Sequence, residues 1–549
     1  MSDSRGAARA ILAAFEEYQA GVRDIAHRAA FHFAARDWAA ARADATARLR
    51  LYGDLVRRAI DEADARLGTA DRRVGWSAAR DRYAAEVAGR GDREIAETFF
   101  SSVSRMHFGT VGVDPKIEFQ GAWERGTADV AEDAPRRWCS AQDGLPALAA
   151  AILEGAPRPL ADPRAEATRV AEALRRAVRG AWGTDRVTGA DMLDTVFYRN
   201  REAYLVGCLR LGERAMPLAI AFRSHPRGIV ADAVLTTADE LSIVFGFAWS
   251  YFHASLPRPG ATVGFLHRIM PLKRIDELYT AVGYNKHGKT ELYRTLMHHL
   301  EQPGHRFEEA EGTRGLVMAV FTLPSLNVVL KVIKDRIAAP KRTNRHEVSE
   351  QYRRVFLNDR VGRLADAQLF QGLAFPEHCF SDDLLAELCF VAPSVVRLEG
   401  DRVVIGHLYT ERRLRPLNLY LREVPPADAE AAILDYGNAI RELAASNIFT
   451  GDLLLKNFGV SRHGRVIFYD YDELAPLDAC TFRHIPPPRS DDDELAAEPW
   501  YSVGEHDVFP EEFIPFLVPP GPLRDLFVEA HRELLDPDWW RAMQERVKG

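Results

Sequence analysis

Cysteine is scarce in this sequence. There are five in 549 residues, and Cys139, Cys208, Cys379, Cys389 and Cys480 form no Cys-x-x-Cys pair. An odd, scattered set excludes a disulfide framework and a thiolate zinc site, and it fits a reducing compartment. Long apolar runs are also missing. None reaches the roughly 18 residues of a membrane span, and Glu16 and Glu17 interrupt the amino-terminal stretch where a signal peptide needs unbroken apolar residues. The expectation is a soluble, cytoplasmic protein with no membrane partner. Basic charge is not in excess either: a formal net charge of -8 supplies no field for gripping nucleic acid, which is set aside as a partner.

With 47% hydrophobic residues, the chain has enough apolar material for two or three cores. Residues 7–66 are rich in Ala, Arg and Glu, with apolar positions such as Leu12, Phe15, Ile25, Leu51, Leu55 and Ile60 at helical spacing. More helix is expected around 78–105 and 143–180. The stretch 203–236 differs, because its Val, Leu and Ile runs are separated by Gly-Glu-Arg and Pro-Arg-Gly turns, the pattern of a small antiparallel sheet. Helical pattern resumes from 237 and stops near Pro303 and Gly304, where the main domain boundary is placed.

Beyond that boundary, strand-like runs dominate to about 412. A strong helix over 427–446 follows, with Ala432, Ile433, Tyr436, Ile440 and Leu443 on one stripe. Strands followed by helices describe a two-lobed catalytic domain with a cleft between the lobes. The expected fold class is α+β, with a mainly helical domain carrying a small antiparallel sheet over 1–304 and a protein-kinase-like bilobal domain over 305–549. The N-lobe is expected over about 305–412 and the C-lobe over 413–549.

The chemistry is concentrated in "GDLLLKNFGVSRHGRVIFYDYDE", residues 451–473. Asp-x4-Asn alone arises by chance about once in a chain of this length. Here, however, Asp452 follows a helix, Asn457 lies in the loop beyond it, and Asp470 closes a strand-like run, in the order and spacing of a kinase catalytic loop and its metal-binding aspartate. Phosphoryl transfer needs oxygen ligands for magnesium, for which Asp470 and Asn457 are suited, and a carboxylate to orient the attacking hydroxyl, for which Asp452 is suited. Upstream, "AEGTRGLVM" places Gly312 and Gly315 where backbone can approach phosphate, and Lys331 stands inside the apolar strand "VVLKVIKD". An inward lysine needs an anionic partner, and Glu347 and Glu350 in the following helix are the candidates. The stretch 402–414 lies where a kinase-type hinge would meet adenine. Two departures stand out: Phe449, Thr450 and Gly451 replace a His-Arg before Asp452, and Asp470-Tyr471-Asp472 replaces Asp-Phe-Gly, so Asp472 is an extra carboxylate in or beside the metal site.

These stretches, together with "FTLPSLNVVLKVIKD", "DRVGRLADAQ", "HLYTERRLRPLNLYL", "EPWYSVGEHDVFPEEF" and, nearer the N-terminus, "FFSSVSRMHFGTVGVDPKIEF", resemble the bacterial isocitrate dehydrogenase kinase/phosphatase family over most of the chain. The resemblance implies a bifunctional enzyme that phosphorylates a serine of NADP-dependent isocitrate dehydrogenase and removes that phosphate, setting flux between the citric acid cycle and the glyoxylate bypass. It further implies one site for ATP or ADP with Mg2+, and a regulatory helical half responding to AMP. The family's nucleotide-binding positions fall on Ala310, Glu311, Gly312, Thr313, Arg314, Gly315, Leu316 and Lys331. Its catalytic aspartate falls on Asp366 in "GRLADA", a residue that the pattern alone would leave as surface on a presumed helix. Asp472 is expected to hold a water or second metal for the phosphatase step. Two other readings compete: a small-molecule phosphotransferase of the aminoglycoside-kinase type, and a pseudokinase whose N-terminal domain does the work.

Overall fold

A computed structural model describes residues 3–548, apart from 69–71, 120–132, 247–250, 313, 340, 342, 359–361, 489–499 and 505, and apart from the side chains of 354–358. By internal contacts the chain divides into two units, Met1–His298 and His299–Gly549. Among the described residues, no helix is long and apolar enough to cross a membrane.

The first unit opens with helices α1 (Ser4–Ala35), α2 (Trp38–Leu67), α3 (Arg72–Val87) and α4 (Arg93–Phe108). The α1–α2 corner is chemically defined. Arg36 takes a left-handed conformation that ends α1, and Asp37 then caps α2 by accepting the Ala40 N–H at 3.0 Å. Phe15, Trp76, Tyr83, Phe99 and Phe100 fill the core between these helices. A five-stranded antiparallel sheet follows in simple chain order: β1 (Arg136–Ser140), β2 (Gly189–Arg199), β3 (Glu202–Leu211), β4 (Arg214–His225) and β5 (Gly228–Leu235). The central strand β3 is buried along nearly its whole length, because one core lies on each side of the sheet, and this explains its continuous apolar sequence. The sequence pattern indicates β3, β4 and β5. It does not indicate β1 and β2, whose Arg136, Arg137, Asp191 and Asp194 break the apolar alternation.

The second unit begins with a mixed-length antiparallel sheet made of β6 (Glu308–Glu309), β7 (Met318–Leu323), β8 (Val328–Ile333), β9 (Ala367–Pro376), β10 (Val396–Glu399) and β11 (Arg402–Arg412). Its order is β10-β11-β8-β7-β6, with β9 along the other edge of β11. A helix, Arg345–Asn358, packs Val348 and Tyr352 into the same core. Short strands β12 (Arg415–Pro416), β13 (Ile448–Phe449), β14 (Phe458–Val460) and β15 (Val466–Phe468) surround the Pro426–Ala445 helix in the helical lobe. That helix buries Ile433, Tyr436, Ile440 and Leu443, the stripe expected from its periodicity, against Phe458, Phe468 and Phe527.

One buried cation ties this lobe together. Arg363, 3% exposed, donates to both carboxylate oxygens of Asp435 at 2.7 Å, to Glu442 at 2.8 Å and to the Val466 carbonyl at 2.8 Å. Burial alone would raise the pKa of Asp435, but Arg363 and the Val466 N–H outweigh it and hold that carboxyl below the usual aspartate range. Arg363→Met therefore leaves a partly buried carboxylate without its cation. It should cost about 3 kcal/mol, read as a lower urea midpoint for this unit. The depressed value also fixes the sign of an acid effect. The network's contribution is present at neutral pH and is lost as pH falls below the usual aspartate range, and in Arg363→Met this acid sensitivity should flatten.

Candidate active site

The lysine reaches its place through the sheet. On β8, Lys331 lies opposite Val320 of β7 and Tyr409 of β11, so its side chain shares a face with Tyr409 and, two residues further along, with Glu411. The Lys331 ammonium sits 2.7 Å from the Glu411 carboxylate, with 8% and 3% of the two side chains exposed. It also donates to the Tyr469 carbonyl at 2.9 Å. Burial raises the pKa of Glu411, and the Lys331 charge and hydrogen bond pull it back.

The two expected partners of Lys331 are thus corrected. Glu347 caps its own helix, accepting from Thr343 Oγ1 at 3.1 Å and the Asn344 N–H at 3.2 Å, and Glu350 pairs with Arg353 at 2.8 Å. From the Arg345–Asn358 helix the site receives Tyr352 instead. Its hydroxyl lies 3.4 Å from Glu411 and its ring packs on Tyr409 and Tyr471. The signal for Glu411 is strand register: it stands two positions beyond the residue that pairs with Lys331.

The glycine-bearing loop joins β6 to β7. Gly312 holds φ +119°, a backbone state that side-chain-bearing residues rarely adopt, with nothing within 4 Å of where a Cβ would project. Glu311 pairs with Arg415 at 2.5 Å, Arg314 pairs with Glu309 at 2.5 Å, and the Gly315 carbonyl accepts from Lys334 at 2.7 Å. Ala310 bonds back to the Val320 carbonyl at 3.2 Å, and Leu316 is exposed. Thr313 lies outside the described residues. The expected hinge narrows, because 402–412 is strand β11 paired to β9 and β8, leaving Arg413 and Leu414 as the link to β12.

The acidic residues converge from the helical lobe. Gly451 has φ +70°, and a Cβ there would stand 2.5 Å from the Glu473 carbonyl oxygen, so glycine lets the Asp452 loop press against the Asp470–Glu473 segment. Tyr436 from the long helix donates its hydroxyl to the Leu453 carbonyl, fixing the same loop from below. Asp452 accepts the Leu454 N–H at 3.0 Å, and its own carbonyl accepts the Asn457 side-chain amide at 3.2 Å. Asn457, buried in a single 3-10 turn, receives the Tyr469 N–H on its carbonyl at 3.0 Å. One backbone bond therefore connects the loop to the residue preceding Asp470.

Asp470 and Asp472 place their carboxyls near enough for one to share a hydrogen bond with the other when one is protonated. Burial, that hydrogen bond and the Asp472 charge raise the pKa of Asp470 well above the aspartate range, against the opposing pull of Lys331 and Lys341. A cation beside neighbouring carboxyls relieves that penalty. With Asn457, whose backbone carbonyl is bonded to the residue before Asp470, this all-oxygen donor set suits magnesium.

Asp366 is corrected in its setting. It belongs to no helix, but stands half-buried immediately before β9. The residues before it run alongside the end of β15: Phe468 N–H donates to the Arg363 carbonyl at 2.8 Å, Ala365 N–H to the Phe468 carbonyl at 2.9 Å, and the Tyr471 hydroxyl to the Ala365 carbonyl at 2.5 Å. Asp366 is thereby carried to the segment that bears Asp470.

An antiparallel sheet presenting an inward lysine, a glycine-bearing loop beside it and a helical lobe presenting Asp, Asn and a carboxyl pair together define a two-lobed phosphotransferase of protein-kinase type. Comparisons with known proteins make the assignment specific. The family model described as the isocitrate dehydrogenase kinase/phosphatase (AceK) kinase domain matches residues 305–549, and the corresponding regulatory-domain model matches 8–304. Among curated relatives named isocitrate dehydrogenase kinase/phosphatase, that of Anaeromyxobacter dehalogenans (strain 2CP-C) is 48% identical, covering 99% of this chain and 95% of its own length. Those of Anaeromyxobacter sp. (strain Fw109-5) and Xanthomonas campestris pv. campestris (strain 8004) are 47% and 43% identical, each covering 98% of this chain and 94% of their own. The chain belongs to the isocitrate dehydrogenase kinase/phosphatase family.

Proposed function

We propose that this chain transfers the γ-phosphoryl group of ATP to a serine of NADP-dependent isocitrate dehydrogenase and, from the same site, removes that phosphate, so that it sets flux between the citric acid cycle and the glyoxylate bypass. The observation that carries this reading is the meeting of the Lys331–Glu411 pair with the Asp470–Asp472 carboxyls through the Tyr469 carbonyl. In this reading Lys331 holds nucleotide phosphate, positioned by Glu411, and the loop Ala310–Leu316 covers the phosphates with backbone N–H groups. Asp470 and Asn457 are the magnesium ligands. Bound there, the ion neutralises the phosphoryl oxygens. Asp452 orients the serine hydroxyl and accepts its proton, which its tethering between Leu454 and Asn457 favours. AMP is proposed as an effector acting through the helical unit, and the domains as a regulatory part over 1–304 and a catalytic part over 305–549.

Asp366 and Asp472 are assigned to the phosphatase direction, Asp472 by holding the attacking water or a second cation. Asp472→Ala and Asp366→Asn should each reduce dephosphorylation of phospho-isocitrate dehydrogenase about a hundredfold while reducing the kinase rate far less. Equal loss in both directions would remove the special role. The principal experiment is incubation of the purified chain with isocitrate dehydrogenase, ATP and Mg2+, followed by mass measurement of the dehydrogenase. A gain of one phosphoryl group on a serine peptide is expected. Phosphorylation of small hydroxylated acceptors instead would favour the small-molecule kinase reading, and nucleotide binding without transfer the pseudokinase.

A further inference from the structure

A second lysine reaches the carboxyl pair, and the phosphotransfer reading gives it no task. Lys341 lies between β8 and the Arg345–Asn358 helix, yet its ammonium contacts the far end of the metal motif, 3.3 Å from Asp472 and 2.6 Å from Glu473. The lysine side chain is 16% exposed and that of Asp472 9%, whereas Glu473 is 42% exposed. The Lys341 ammonium is thus held between two carboxylates. A positive charge this close to a carboxylate, in a place screened from water, acts on anything else that seeks the same oxygens.

The geometry points to Lys341 as a positioning residue that competes with the divalent cation for Asp472. This inference rests on the reading of Asp470 and Asp472 as the metal end of the site. The two contacts of Lys341 are unequal, and that inequality makes the exchange easy. Glu473 holds the ammonium at the shorter distance and from the more exposed position, so Lys341 can release Asp472 without being left buried and unpaired. Metal affinity at the carboxyl pair is then set partly by a residue that never touches the metal. Asp472, the carboxylate a kinase with Asp-Phe-Gly lacks, becomes a ligand only when Lys341 yields it.

Electron paramagnetic resonance of Mn2+ titrated into the full-length, chelator-stripped chain reads this without turnover. Lys341→Met should bind Mn2+ on the order of tenfold more tightly than the wild type, and Lys341→Arg should bind as the wild type does. A lysine that merely pins its loop would leave the affinity unchanged or weaker, and that result overturns the proposal while phosphorylation of isocitrate dehydrogenase by the wild type leaves the functional reading standing. If Lys341→Met does not fold, the wild type decides. After reductive 13C-methylation, which keeps the charge, the Lys341 resonance, recognised by its absence in Lys341→Arg, should shift as Mg2+ is added. A resonance indifferent to saturating Mg2+ overturns the proposal. Absence of any Mn2+ or Mg2+ response in wild type and variants alike overturns both the proposal and the metal reading.

Discussion

Asp470→Asn is expected to reduce both kinase and phosphatase activity by about a thousandfold, the scale on which a single charge-stabilising group at a reacting centre acts. Asparagine keeps the size and one oxygen of aspartate but discards the charge that would draw a cation. A folding defect would mimic this loss, so the stability of the variant has to move the other way. In the folded chain, burial and Asp472 raise the Asp470 pKa above its unfolded value. A raised value means that the group's contribution is fully present below the unfolded pKa, near pH ~4, and is lost as pH rises through the folded one. Melting of the wild type in chelator should therefore decline with rising pH through that window. Asp470→Asn should melt no lower than the wild type at neutral pH and show a flatter profile. Loss of activity together with a lower melting temperature would refute this account.

The second large effect is expected at Lys331. Lys331→Met should lower kcat/KM for ATP about a thousandfold and also destabilise the fold by about 3 kcal/mol, because Glu411 remains buried without its counter-charge. Part of that cost is recovered when Glu411 takes up a proton, which its raised pKa already favours. Glu411→Ala should give a similar loss of stability and a weaker grip on nucleotide, since Lys331 would lose its carboxylate and keep the carbonyl and ring of Tyr469. The double replacement Lys331→Met with Glu411→Leu separates the two roles. Urea unfolding should recover most of the stability, while ATP binding stays lost.

The two residues of this pair show what a linear sequence carries and what it does not. Lys331 was legible because a lone charge inside an apolar strand violates the local pattern, and Asp452, Asn457 and Asp470 because a helix, a loop and a strand hold them at short separations. Glu411 was not, because its partnership depends on which residue of β11 pairs with Lys331, and register between distant strands is written in no local interval. The sequence also invited a helix glutamate, but the Arg345–Asn358 helix turns Tyr352 inward and spends Glu347 on its own cap. Asp366 was hidden for a related reason. The alanines around it read as helix, whereas the backbone there is held by Phe468 and Tyr471 and then enters β9. The amino-terminal helices were clear from alanine-rich periodicity. β1 and β2 were not, since Arg136, Arg137, Asp191 and Asp194, all but the last half-buried, interrupt the alternation.

The missing side chain at Gly451 has a practical consequence. Because the Glu473 backbone fills the space a Cβ would need, the loop proposed to meet the acceptor and the segment proposed to meet the cation are packed directly on each other. Anyone seeking to retarget this scaffold to another acceptor should vary Leu454 and Lys456, which are not buried, and leave Gly451 alone. A side chain there would disturb loop and segment at once, and lost specificity could no longer be told apart from lost metal.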